Sequence, residues 1–433
     1  MKFNHGFILK VSFISALGGY LFGFDFAVIA GALPFLQQQF HLDPSWEGFA
    51  TGSLALGAIL GCLTAGSVGS RYGRRKGLLL AATIFGLSSL AMALATGRLP
   101  FVLARFIAGA GVGMASMLSP MYIAEIAPAP YRGTMVSINQ LTVVIGILIT
   151  NLVNYSLRAA GPDAWRWMFG LGAVPSLLFL IGAYFLPESP RWLLQKGQEQ
   201  AARSVLTKIG PLTYVEQSVT EIKHSLLPSK AAAGRGVRLQ AFWPILLVGI
   251  SLAAFQQLCG INTVFNYAPK LFESIGASTD DQLLQTVFIG GVNLVFTLLA
   301  MVFVDKIGRK PLMLLGAGGL AILYLLIVQL LAAGDSRVAW LLLSAIGLYA
   351  MTLAPVTWVL IAEIFPAVIR DRAMVISIVS LWAACFVLVY SFPVLFDHLK
   401  DHTFYIYAAI CALGFFFILT KVKETKGKTL EEM

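Results

Sequence analysis

The chain has 433 residues, of which 58% are hydrophobic and only 12% charged, about half the charged fraction of an ordinary soluble domain. A soluble enzyme of this length would need a charged surface around its core, so the composition excludes that class and points to a polytopic membrane protein. The net charge of +10 does not mark a nucleic-acid binder, because the bases lie in short segments between apolar runs and form no face interleaved with aromatics.

The N-terminal "MKFNHGFILKVSF" leads into an apolar run longer than a signal-peptide core, which predicts a retained first helix. Runs long enough for ~30 Å of hydrocarbon centre near residues 22, 58, 87, 113, 145 and 177. In the first, "LGGYLFGFDFAVIAG" places Asp25 at bilayer depth, which costs at least ~2.5 kcal/mol by insertion scales. In the fourth, "FVLARFIAGAG" carries Arg105, the one base comparably placed. A lone acid and a lone base in one bundle are expected to pair, since each lowers the cost of burying the other. The glycines of "GAGVGMAS" (109–116) follow no strand, so they read as a close-packing helix face and not as a nucleotide loop.

Residues 188–240 form the long polar stretch. There "PRWLLQKGQEQAARSVLTKIG" has the spacing and charge of short amphipathic helices at a membrane surface. A second group of apolar runs centres near 254, 293, 321, 350, 385 and 411. The seventh run, "FQQLCGINTVFNYAP", supplies Gln256, Gln257, Asn262 and Asn266; Asn293 lies in the eighth, Trp358 in the tenth and Trp382 in the eleventh. Amides donate and accept hydrogen bonds and aromatic rings offer flat platforms, a pairing suited to a ligand with many hydroxyls and a few C–H faces.

Twelve spans put both termini on one side. The segments on that side hold 24 of the 31 Lys and Arg, which predicts cytoplasmic termini and a cell-membrane location, with the short loops pointing to a bacterial inner membrane. Cys62, Cys259, Cys385 and Cys411 form no ligand spacing and read as small buried hydrophobes. No cofactor or metal is expected. No nucleophile–base pair is visible either, so an enzyme is not expected.

The two groups of spans repeat each other where charge concentrates. "GSRYGRRK" (69–76) matches "FVDKIGRK" (303–310), "AEIAPAPYRG" (124–133) matches "AEIFPAVIRD" (362–371), and "PES" (187–189) matches "KET" (423–425). Three pairs at nearly one offset imply a six-helix unit duplicated in parallel, as in transporters whose halves rock about a central site. The expected division is 1–187, an N-terminal bundle; 188–240, a cytoplasmic linker; and 241–433, a C-terminal bundle with a short tail. Acids and bases at the paired helix ends (Arg74, Glu125, Arg132, Glu188, Arg191, Asp305, Arg309, Glu363 and Arg370) are expected to form a cytoplasmic gate, with opposite charges from the two halves able to meet.

Those same elements, with "PESPRWLL", "FQQLCGIN" and "ETKGKTLEE", make the chain resemble the sugar porter family of the major facilitator superfamily along nearly its whole length. The resemblance implies twelve transmembrane helices in two pseudo-symmetric six-helix bundles, an all-α membrane fold with alternating access and a monosaccharide held between the halves. It implies that the positions of Gln256, Gln257, Asn262, Asn293 and Trp358 touch the sugar. It also implies that Asp25 and Arg105 couple uptake to a proton, since passive members of the family have a neutral residue at the Asp25 position. The partners expected are therefore a monosaccharide, a proton and the lipid bilayer, with the chain acting as a monomer. Three positions depart from the proton-coupled pattern: Ile147 and Leu381 stand where glutamines are usual, and Asn266 where a tyrosine is. A sugar hydroxyl facing Ile147 or Leu381 would go unpaired, which would suit a deoxy sugar or a different pose. A passive facilitator of the same fold is the alternative.

Overall fold

The computed structural model describes residues 3–424, apart from 234–238, 275, 277, 367 and 368. In the N-terminal part the helices are α1 (His5–Phe40), α2 (Pro44–Tyr72), α3 (Arg74–Ala93), α4 (Arg98–Ile126), α5 (Arg132–Leu157), α6 (Ala164–Gly170) and α7 (Ala173–Tyr184). Three shorter helices follow, α8 (Pro190–Gln195), α9 (Glu199–Ile209) and α10 (Leu212–Ala233). The C-terminal part contains α11 (Trp243–Leu258), α12 (Ile261–Glu273), α13 (Thr279–Ile307), α14 (Arg309–Ala332), α15 (Val338–Met351), α16 (Leu353–Glu363), α17 (Arg370–Leu399) and α18 (Thr403–Lys421). No strand occurs among the described residues.

Eleven helical runs among the described residues are long and apolar enough to cross a membrane. The last of them, Arg372–Lys421, reverses direction at Lys400, whose φ is +51°. It therefore contributes two passes, α17 and α18, and the total is the twelve that hydropathy predicts. Three passes are broken: α6 and α7 make one, α11 and α12 another, α15 and α16 a third. Sequence periodicity gives no hint of these breaks, because each falls inside one continuous span-length run.

Capping marks the ends. Asp43 accepts from the backbone N–H of Trp46 at 2.9 Å ahead of Pro44, and Ser278 accepts from that of Asp281 at 3.2 Å, which satisfies donors that helix starts leave free. Small residues set how closely helices approach. A Cβ on Gly109 or Gly113 would lie 2.1 Å or 2.2 Å from the α2 carbonyls of Leu54 and Ala58, so α2 and α4 pack backbone to backbone as the glycine run predicts. At the surface, Lys223 and Arg203 pair with Glu199 at 2.6 and 3.0 Å and hold its carboxyl below the usual range. This joins α9 to α10. The chain start is tied in too, where Asn4 N–H donates to the Ile209 carbonyl at 2.9 Å.

The sequence repeat recurs bond for bond. Glu188 accepts from the backbone N–H groups of Arg74 (2.8 Å) and Arg75 (3.2 Å) at the start of α3. Glu424 accepts from those of Arg309 and Lys310, both at 3.0 Å, at the start of α14. Each carboxylate thus caps a helix N-terminus, where donors are unpaired and the dipole favours an anion. Gly73 and Gly308 precede these caps with φ of +101° and +107°, a region that side chains other than glycine's strain to enter. Gly73→Ala is expected to cost ~1–3 kcal/mol and to lower the melting temperature in detergent. Gly308→Ala should cost less, because its Cβ would meet the Glu424 carboxylate at 3.0 Å whereas that of Gly73 would meet Glu188 at 2.1 Å.

Candidate functional site

A cavity lies between the two groups of helices, the kind of junction in a helical bundle where small-molecule sites occur. The break between α11 and α12 builds its polar wall. Gly260 takes φ +90° there, and the interruption turns Gln256, Gln257 and Asn262 toward one another. Asn262 donates its amide N–H to the Gln257 side-chain oxygen, and Gln257 in turn donates to Gln256 Oε1 at 2.7 Å. Among the described residues this chain leaves the Gln256 amide nitrogen and the Asn262 amide oxygen without a hydrogen bond. Both side chains line the cavity, so a donor and an acceptor remain for a ligand.

Asn293 from α13, Trp358 from α16 and Trp382 from α17 complete this side. The Trp382 indole N–H is buried without a partner, and its ring meets Phe22 of α1 edge-on at 5.4 Å. The facing wall is apolar: Phe22 and Phe26 of α1 with Val143, Val144 and Ile147 of α5. Leu381 lies beside Trp382. Two of the three departures noted in the sequence, Ile147 and Leu381, therefore line the cavity.

Two cavity positions differ from expectation. Asn266 lies off the main cavity and lines a smaller space with Thr51, Gly52 and Val389. Its amide donates to the Asn262 backbone oxygen at 2.7 Å, a local bond that satisfies it inside α12. Gln140 does line the cavity but was not singled out, because one amide in a mixed polar turn carries no periodic signal. It sits two turns before Ile147, on the same face of α5, and restores one amide to the apolar wall.

Asp25 and Arg105 are brought together, each 0% exposed. Arg105 donates through Nη1 to Asp25 Oδ1 and through Nη2 to the Asp25 backbone oxygen, both at 3.3 Å. Its guanidinium lies 5.6 Å from the centre of the Phe169 ring. Asp25 Oδ2 and Arg105 Nε have no hydrogen-bond partner, so the pair is long and half satisfied. Asp25 adjoins Phe26 in sequence and lies one turn from Phe22, so α1 links the charge pair to the cavity wall.

The charges at the starts of α3 and α14 and the ends of α4 and α16 pair within each half. Arg74 meets Glu125 at 3.0 Å and Arg309 meets Glu363 at 3.1 Å, with Glu188 and Glu424 completing the two rings. The expectation of opposite charges meeting across the halves is thus not what these pairs do; each ring ties together helix ends of one bundle. Arg132 and Arg191 are exposed and form no ion pair among the described residues. The side chains of Asp305 and Arg370 lie outside the described set. The described ion pairs that do cross between the halves are on the opposite face, Glu47 with Lys270 and Arg158 with Asp280. Sequence reading missed these, since charges at span ends are ordinary.

The family model described as "Sugar (and other) transporter" matches residues 11–433. The chain belongs to the sugar transporter family. It is 39% identical to the D-xylose-proton symporter of Escherichia coli, covering 100% of this chain and 96% of that protein. It is 35% identical to the arabinose-proton symporter of Bacillus subtilis, covering 99% and 94%. A solved structure of a proton:xylose symporter bound to 6-bromo-6-deoxy-D-glucose superposes with a TM-score of 0.85 at 39% identity over 99% of this chain and 98% of that one. An inward-open structure of the xylose transporter of E. coli superposes at 0.86 with 37% identity over 98% of each. The twelve-pass, two-bundle fold is accordingly that of this transporter family, and the chain is a multi-pass membrane protein.

Removing one partner of a buried pair costs ~3–5 kcal/mol because the other charge is stranded, and arginine cannot shed its proton to escape. Asp25→Leu is therefore expected to lower the detergent melting temperature more than the double variant Asp25→Leu/Arg105→Met. The comparison is made by thermal-shift measurement on purified protein.

Proposed function

We propose that this chain is a proton-coupled monosaccharide symporter working by alternating access, with Asp25 and Arg105 as its proton-coupling pair. The observation that carries this reading is a fully buried, half-satisfied carboxylate–guanidinium pair on the helix that also walls an amide-lined cavity. The names of the relatives supply the chemistry: a D-xylose-proton symporter and an arabinose-proton symporter among proteins matched over nearly their whole length.

A proton on Asp25 removes the charge that holds Arg105, and its loss restores the attraction. Two protonation states then favour two arrangements of α1 against α4, and α1 carries that difference to Phe22 and Phe26 at the ligand. Each charge moved across ~100 mV contributes about 2.3 kcal/mol to uphill uptake. Sugar hydroxyls would meet Gln256, Gln257, Asn262, Asn293 and Gln140, with Trp358 and Trp382 as platforms.

The working division is 1–187, 188–240 and 241–433, with both termini cytoplasmic in a bacterial inner membrane and the chain acting as a monomer. The two charge rings would then face the cytoplasm. They hold each half together so that it moves as one body, and they part from each other when that face opens.

In proteoliposomes with an imposed proton gradient, wild type is expected to concentrate a labelled pentose or hexose, and Asp25→Asn only to equilibrate or exchange it. Wild type that merely equilibrates the sugar, unmoved by the gradient, would make the chain a passive facilitator and Asp25 a packing residue.

A second outcome follows from the apolar wall. A hydroxyl buried without a partner costs ~1–3 kcal/mol. Ile147→Gln or Leu381→Gln should therefore tighten binding of fully hydroxylated pentoses and hexoses relative to their deoxy analogues by roughly 5- to 100-fold. Quenching of tryptophan emission by each sugar reads this directly.

A further inference from the structure

Two described ion pairs join the halves, and both lie on the face opposite the Arg74–Glu125 and Arg309–Glu363 rings. They differ in their surroundings. Arg158 and Asp280 approach to 3.0 Å with the Asp280 side chain 71% exposed, so water and salt screen the attraction. Lys270 Nζ and Glu47 Oε2 approach to 2.7 Å with the Glu47 side chain only 2% exposed.

Glu47 lies in the first turn of α2, fixed by the Asp43 cap. Lys270 lies in the last turn of α12, just past Pro269 and the non-helical Tyr267. The seam around them is closed. The Tyr267 hydroxyl donates to the Val389 carbonyl at 2.8 Å, and a Cβ on Gly48 would lie 2.2 Å from the Tyr390 carbonyl oxygen. Gln37 and Glu273 are the other polar groups near the Glu47 carboxylate.

We infer that Glu47 and Lys270 are the latch of the gate on this face: a charge pair between the halves that stabilises the closed arrangement and is undone when the halves part there. The argument is differential. In the closed arrangement the Glu47 charge depends on Lys270, because Glu47 has almost no access to water whereas Lys270 is 24% exposed. In the open arrangement both are hydrated and neither needs a partner. Removing Lys270 strands the buried Glu47 carboxylate only in the closed arrangement, so the equilibrium moves toward open by that difference; removing Glu47 loses the attraction but leaves Lys270 partly hydrated. The exposed Arg158–Asp280 pair lacks this property, because its members are hydrated in either arrangement. The inference rests on the family's alternating access and not on the identity of the sugar or on proton coupling.

Cys385 provides a native reporter, since it lines the central cavity and is 4% exposed. A charged, membrane-impermeant thiol reagent reaches it only through whichever face is open. The rate of its modification is measured from the outside in intact cells and from the other face in inside-out vesicles, with Cys385→Ser as the blank.

Lys270→Gln is expected to raise the rate from the latch side at least five-fold and to lower it from the ring side, and Glu47→Gln to move both rates the same way by a smaller factor. Arg158→Gln should change neither by more than two-fold. The swap Glu47→Lys/Lys270→Glu should return both rates to near the wild-type values. Unchanged rates in the single neutral variants, or a swap that is modified as fast as they are, would overturn the inference. If the single variants do not accumulate in the membrane, the swap decides: wild-type rates support the latch, while a raised latch-side rate or failure to accumulate overturns it. No step of this readout needs sugar or a gradient, so its failure is separable from failure of the symport reading.

Discussion

Hydrocarbon offers no partner to a polar group, and that constraint shapes every part of this chain. The backbone meets it by becoming helix along the spans, with short breaks in three of them. Side chains meet it by binding one another: Asn262 to Gln257 to Gln256 in the cavity wall, and Arg105 to Asp25 between α1 and α4. Where the solution is incomplete, function is the natural place to look. The orphaned Asp25 Oδ2 and the unpartnered Trp382 indole N–H are both of this kind. A polar atom left unsatisfied in such a medium asks for an explanation, and a ligand or proton met during the working cycle is one.

The internal duplication supplies a frame, and departures from it supply the chemistry. Glu188 and Glu424 cap equivalent helices, and Arg74–Glu125 and Arg309–Glu363 repeat one geometry. Inside the spans the symmetry is abandoned. The amides sit on α11, α12 and α13, whereas the N-terminal half offers Phe22, Phe26 and Ile147 with Gln140 alone among amides. The deeply buried charge pair belongs entirely to the N-terminal half. On the proposed reading one half holds a polyhydroxyl ligand and the other responds to a charge, with α1 and the aromatic contact between Phe22 and Trp382 between them.

What the sequence made legible follows from which signals are long. Twelve spans, the repeat and the isolated Asp25 and Arg105 are properties of windows of twenty residues or of rare residues in such windows. The break at Gly260 is a property of one backbone position, and Gln140 is one side chain among neighbours of mixed polarity; neither rises above its surroundings. Asn266 shares a span with three cavity amides, but its bond to the Asn262 carbonyl and the smaller space it lines, which shares Phe26, Trp382 and Cys385 with the cavity, are visible only in the fold. The charges at helix ends were read correctly as a repeat but not as closed rings, because spacing along the chain tells which charges are equivalent and not which ones touch. Glu47 and Lys270 are more than 200 positions apart, and only the fold brings them together.

The capping carboxylates carry a consequence for biogenesis. Glu188 lies 114 positions after the Arg74 amide that it caps, and Glu424 lies 115 after that of Arg309. In each half the cap therefore emerges from the ribosome after the sixth span and closes a ring begun at the third. Until then α3 or α14 inserts with its first amides unanswered. Its closure then ties the first helix turn after the second span to the segment that follows the sixth. The N-terminal half can complete itself before the C-terminal half has been made, which is the order in which a translating ribosome delivers them. The same bonds that tie helix ends together in the mature protein thus divide its assembly into two finished stages.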